Sequence, residues 1–268
     1  DAGNHRIRKV TPAGAIDTIA GDGTAAFRDT DDTVDEDQDG NPANEDATFA
    51  QMNRPLGIAL DSAGNLYIAD SYNHRIRKLG TNGKLSTVAG DGTAGRGGDG
   101  GPATKAQLNY PQGVAVTPSG VLYIADTSNG LIRRVDTDGT ITRVAGIGLN
   151  GYSGDGGPAL QAGLDYPKSV ALDAAGNIYI VDSLAGRVRV ITTDGIIHTI
   201  AGNGTYGDGG DGGPATRAPL KFPSGLALAA GGAIYVSDTQ NNRVRLLTPA
   251  QQQPGTRGAP AIHEGGVV

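Results

Sequence analysis

The chain has 268 residues, of which 44 are glycine and 14 proline, and a formal charge of −6. Glycine at this density argues against a helix bundle, since each one inside a helix costs roughly 1 kcal/mol relative to alanine. Cysteine is absent, which excludes a disulfide scaffold and a cysteine-ligated zinc or iron–sulfur centre. No apolar run approaches the ~20 residues of a membrane-spanning helix.

The glycines follow a period. Pro55, Pro111, Pro167 and Pro223 are spaced 56 residues apart, and Asp70, Asp126, Asp182 and Asp238 keep the same step. A fixed step of this size is the signature of a repeat architecture. The chain opens inside a copy, at DAGNHRIRKV, so Asp1 corresponds to Asp70. That first copy carries an insertion between Gly21 and Pro55.

In chain order, the partial copy over residues 1–53 supplies two strands and an acidic insert at 29–46. The first complete copy, 54–109, reads as four strands. Gly57 to Leu60 is a short apolar run ended by Asp-Ser-Ala-Gly. Asn65 to Ala69 is rich in Tyr and Ile. Arg75 to Leu79 alternates polar with apolar, as a strand with one wet face does. Thr81-Asn82-Gly83 marks a hairpin, and Leu85 to Ala89 is the fourth strand. A Gly-rich connector, DGTAGRGGDGGPATKAQLN, leads to the next copy. The same reading holds for 110–165 and 166–221, and 222–248 supplies three strands. Residues 249–268 form a tail outside the repeat. Four antiparallel strands at a fixed period describe the blade of an all-β β-propeller.

The segments NLYIADSYNHRIRKL, STVAG and GDGGPAT resemble the NHL repeat, in its Gly-rich bacterial variety. The resemblance spans about residues 1–248 as one domain and implies a propeller, most often six-bladed. Four to five blades are accounted for here, so the expectation is a domain incomplete at its N-terminal side. The alternative is completion by a partner chain, because open sheet edges invite strand addition.

The insert is the most distinctive chemistry. Residues 29–46 hold nine acids and no base; elsewhere bases outnumber acids. Asp35, Asp37 and Asp39 alternate before Gly40; Asn41 follows, and Asp46 stands at the twelfth position. This is the ligand spacing of a calcium loop: alternate oxygens converge on a hard cation, and glycine allows the sharp turn. Asp in place of Glu at the last position, Pro42, and the lack of flanking helices depart from the EF-hand. The competing readings are a solvated acidic excursion without metal and a dock for a basic partner.

Other features read as structural. The four repeated aspartates sit before turns, where a short acid accepts backbone N–H bonds. Tyr67, Tyr123, Tyr179 and Tyr235 read as packing between blades. Tyr72, Tyr152 and Tyr206 fall in loops and are better placed to meet a ligand. The pairs Arg75/Arg77, Arg133/Arg134, Arg187/Arg189 and Arg243/Arg245 read as a solvated basic rim. RNA binding, known in the family, would need stacking aromatics on a basic face, which are not visible, so nucleic acid is not expected. Some propellers of this kind are lyases or esterases with a channel metal. None of His5, His74, His198 and His263 lies in a first-strand segment, so three convergent ligands are not supplied.

The reading is a non-catalytic binding or scaffold module, extracellular, cell-surface or periplasmic, with a calcium-type loop. It would present rigid loops to a protein partner or neighbouring subunit. The alternatives are a metal-dependent propeller lyase or hydrolase and a structural subunit of an extracellular assembly completed by strand addition.

Overall fold

A computed structural model of the chain describes residues 1–27 and 46–248. The fold is all-β, built from antiparallel blades of the β-propeller class. The strands run β1 (Ile7–Val10), β2 (Ile16–Ala20), β3 (Pro55–Leu60), β4 (Leu66–Asp70), β5 (Arg75–Leu79) and β6 (Leu85–Ala89). They continue with β7 (Gly113–Val116), β8 (Leu122–Asp126), β9 (Leu131–Val135), β10 (Ile141–Ala145), β11 (Pro167–Leu172) and β12 (Ile178–Asp182). β13 (Arg187–Ile191), β14 (Ile197–Ala201), β15 (Gly225–Leu228), β16 (Ile234–Asp238) and β17 (Arg243–Leu247) complete them. The sheets group β1–β2, β3–β6, β7–β10, β11–β14 and β15–β17, each strand beside its chain neighbour. The strand allotment of two, four, four, four and three matches the repeat among the described residues. Two compact units divide the chain, Asp1–Arg143 and Val144–Val268. No helix of the described residues is long and apolar enough to cross a membrane.

Local chemistry sets the turns. Between β3 and β4 the Asp61 carboxylate accepts from the backbone N–H groups of Ala63 and Asn65 and from the Asn65 side chain. Asp173 does the same for Ala175 and Asn177 between β11 and β12. An aspartate holding its own turn closed is a side-chain substitute for a backbone turn. The second strands then enter the core: every residue of β4 is buried.

In the first unit, Tyr67, Ile76, Val114 and Ile124 belong to one apolar cluster, with Ala59 and Val116 packed against it. In the second, Val188, Val236 and Leu247 form a cluster with Tyr179 against its side. The repeated tyrosine therefore packs as its sequence position implies in these blades. Tyr235 is the exception, 45 % exposed: Tyr67 lies against residues of the following blade, and no blade follows β17 among the described residues.

Two glycines fix how closely neighbouring segments approach. Gly57 donates its N–H to the Gln112 carbonyl, joining the first strands of successive blades. A Cβ on Gly57 would stand 2.3 Å from that oxygen. Gly90 closes the fourth strand at φ +92°, where an added Cβ would meet the His74 carbonyl at 2.2 Å. Gly90→Ala combines a disfavoured positive φ with this clash. It is expected to destabilise the domain by about 1–3 kcal/mol, read from the urea midpoint at unchanged m-value.

Candidate functional site

The insert residues Asp35, Asp37, Asp39 and Asn41 lie outside the described residues. Asp46 is described. Its carboxylate accepts from the Thr48 N–H at 2.9 Å and caps the short 3-10 turn Ala47–Phe49. Among the described residues no group of three His, Cys, Asp or Glu side chains is placed to hold a metal ion.

The repeated aspartates have a definite task. Asp126 Oδ1 accepts the Asn109 N–H at 2.7 Å, and Oδ2 accepts from the Asn129 side chain at 2.8 Å. The Arg133 guanidinium lies 3.7 Å from the same carboxylate, and both side chains are fully buried. Arg133 also binds the Gln107 carbonyl at 2.8 Å and Asp99 of the connector at 2.8 Å. Arg77 pairs with Asp70 at 3.1 Å, Arg189 with Asp182 at 3.6 Å and Asp155 at 3.2 Å, and Arg245 with Asp238 at 3.2 Å and Asp211 at 2.7 Å. Each cluster ties the incoming connector to the second and third strands of its blade.

This corrects the solvated basic rim. Arg77, Arg133, Arg189 and Arg245 are among the largest fully buried side chains. The guanidinium is tolerated inside because carboxylates and carbonyls give its terminal N–H groups acceptors. Burial pushes the Asp126 carboxyl up to about 6; its hydrogen bonds from Asn129 and Asn109 and the Arg133 charge oppose the shift.

Around these clusters the loops carry aromatics. The residues before each repeated proline, Arg54, Tyr110, Tyr166 and Phe222, all adopt positive φ between 48° and 62°. In the first unit, Tyr110 meets Tyr72 edge-on at 4.9 Å and His74 at 4.7 Å. Arg54 stands 5.1 Å over the Tyr72 ring and donates to its hydroxyl at 3.3 Å. His74 Nδ1 accepts the Tyr110 N–H at 3.1 Å, and His5 does the same for Arg54. Tyr72 is 42 % exposed. In the second unit Tyr206 stacks on Phe222 at 4.7 Å and is likewise exposed.

The loop tyrosines Tyr72 and Tyr206 thus stand at the surface as their sequence positions imply. Tyr152 is exposed as well, with the Arg187 guanidinium 3.8 Å over its ring. Tyr110, Tyr166 and Phe222 were not singled out by sequence reasoning. Their signal is a bulky residue before each repeated proline, at the same 56-residue step.

Asp126→Ala leaves Arg133 buried with the half-exposed Asp99 as its remaining carboxylate. Breaking a buried pair from one side typically costs about 3–5 kcal/mol, and chemical denaturation is expected to show a loss of that order. His74 offers a pH test. Burial, then the Arg75 charge, holds its pKa below the ordinary 6.5, and the neutral ring is the form that accepts from Tyr110. Its contribution is therefore present above about pH 6.5 and is lost as pH falls toward the lowered folded value. His74→Asn, which fits the left-handed backbone as Asn242 does, is expected to flatten the fall in melting temperature between pH 7 and pH 5.

The family model of the teneurin NHL domain matches residues 91–152 and 148–209, and that of the NHL repeat matches 52–79 and 220–245. Human Teneurin-1 (Homo sapiens) is 29% identical over 231 residues, covering 76% of this chain and 8% of that protein. NHL repeat-containing protein 2 of Gallus gallus is 30% identical over 222 residues, covering 72% of this chain and 30% of that protein. The chain thus spans less than a third of either relative. A catalytically inactive virginiamycin B lyase from Staphylococcus aureus, solved with quinupristin, superposes with a TM-score of 0.55 at 15% identity, over 92% of this chain and 61% of that one. At that identity the likeness is one of fold alone. The repeat, the blades and the matched family models agree: the chain belongs to the NHL-repeat family.

Proposed function

We propose that the chain is a non-catalytic binding module that presents the loop face of rigid blades to a protein partner. The observation that carries this reading is the Arg54–Tyr72–His74–Tyr110 cluster. Tyr and Arg are the side chains that most often anchor protein interfaces. Here they are fixed by ring contacts and by the histidine–backbone bond, so little side-chain freedom remains to be lost on binding. The buried Arg–Asp clusters beneath hold the loops still.

The acidic segment complements this surface in the proposal. Asp35, Asp37, Asp39, Asn41 and Asp46 form a calcium loop, and the protein works outside the cell or in the periplasm, where such a site fills readily. The spacing of these oxygens supports the metal; the fold itself does not bear on it.

Two measurements test the reading. Calcium titrated calorimetrically into the protein is expected to release or absorb heat and raise the melting temperature, and Asp37→Asn with Asp39→Asn to abolish both. No heat in the unaltered protein would end the calcium assignment. For the surface, a protein retained from the extracellular fraction of the source cells is purified and its affinity measured. Tyr72→Ser and Tyr110→Asn are each expected to weaken it about tenfold or more at unchanged melting temperature. Unchanged affinity in both variants places the interface elsewhere.

A further inference from the structure

The turn between second and third strands is built four times on one backbone frame, and one copy differs in a decisive side chain. In every copy the closing aspartate accepts a connector N–H through Oδ1: Asn53 to Asp70 at 2.7 Å, Asn109 to Asp126 at 2.7 Å, Asp165 to Asp182 at 2.6 Å and Lys221 to Asp238 at 2.7 Å. The residue two places on returns its N–H to the same connector residue, as Ser128 does to Asn109 and Leu184 to Asp165, both at 3.0 Å.

Three places after the aspartate, Asn73, Asn129 and Asn241 each give an amide hydrogen to the aspartate Oδ2, at 2.9, 2.8 and 2.8 Å. The same nitrogen gives another to a connector carbonyl, that of Ala26, Gly95 or Gly207 respectively. In the remaining copy this position is Ala185, which is itself buried. The Asp182 Oδ2 is buried and receives no hydrogen bond from the protein. The Arg189 guanidinium lies 3.6 Å from it. By sequence register the carbonyl that corresponds to those of Gly95 and Gly207 is that of Gly151, 56 residues from each, in a backbone that has φ +129° where those two glycines have no positive φ.

We propose that one buried water molecule replaces the missing amide nitrogen, donating one hydrogen to Asp182 Oδ2 and the other to the Gly151 carbonyl. The match is chemical. The two acceptors need two donors, and water has two. Shortening Asn to Ala frees a volume on the order of one water's share of the liquid, ~30 Å³, and buried waters settle where orphaned polar groups face such room. A cation is disfavoured by the adjacent Arg189. Asp182 also differs in its acidity: burial foremost, with the Asp165 charge adding, pushes it up to about 7, against about 6 for Asp126 with its asparagine. The joint of residues 166–221 is therefore the hydrated one of the four.

A high-resolution crystal structure of the unaltered protein is expected to show a water within about 3 Å of both oxygens. Ala185→Asn is expected to put its nitrogen at that point, expel the water and raise the melting temperature by about 2–4 °C. Asn129→Ala is expected to lower the melting temperature and admit a water between Asp126 and Gly95. Absence of the water from the unaltered protein overturns the proposal, and that observation stands even if a variant fails to fold. Retention of the water beside the new amide in Ala185→Asn overturns it as well.

Discussion

The arginine buried in the third strand of the four blades from residue 54 onward (Arg77, Arg133, Arg189 and Arg245) is the constraint on which the rest depends. A guanidinium leaves water at a high cost unless carboxylates and carbonyls meet its charge and its terminal N–H groups. Its own blade supplies one carboxylate, at the end of the second strand; the others must come from outside. Connector carbonyls supply further acceptors, and Asp99, Asp155 and Asp211 add a connector carboxylate to Arg133, Arg189 and Arg245. The connector must therefore fold over the arginine before the charge is satisfied. A Gly-rich loop, which has little apolar surface to bury, acquires a fixed course by this means.

That constraint links core to surface. Once the connector is held, the residue before the next proline is forced into the left-handed region, a costly conformation for Tyr or Phe. The aromatic ring then stands beside the turn after the second strand, where Tyr72 or Tyr206 meets it. The exposed aromatic clusters are thus by-products of a buried ion pair. In the first unit the histidine after the turn adds a neutral acceptor for the strained residue's own N–H.

Much of this was legible in the sequence. The period, the strands and the turn role of the aspartates follow from spacing and from what a short carboxylate can do. The third strand was readable as a strand but not as a buried one. Alternation of Arg with apolar residues is the usual mark of a wet face, and the carboxylate that overturns it, such as Asp99 for Arg133, lies 34 residues away in a loop. The change from asparagine to Ala185 was visible as a departure from the repeat; its meaning needed the two oxygens it leaves behind. The aromatic before proline was hidden because a positive φ is not expected of tyrosine. The acidic insert, the plainest signal in the sequence, falls mostly outside the described residues.

The reach of each ion-pair cluster has one more consequence. In the Arg133, Arg189 and Arg245 clusters the arginine, aspartates and carbonyls are drawn from residues no more than 36 positions apart, within a step of 56. Copying or deleting one whole step leaves every other cluster with its full set of partners. Such a chain can lengthen or shorten by gene duplication in units of one blade, while a change of any other size must be absorbed within a single connector, as the 29–46 insertion is.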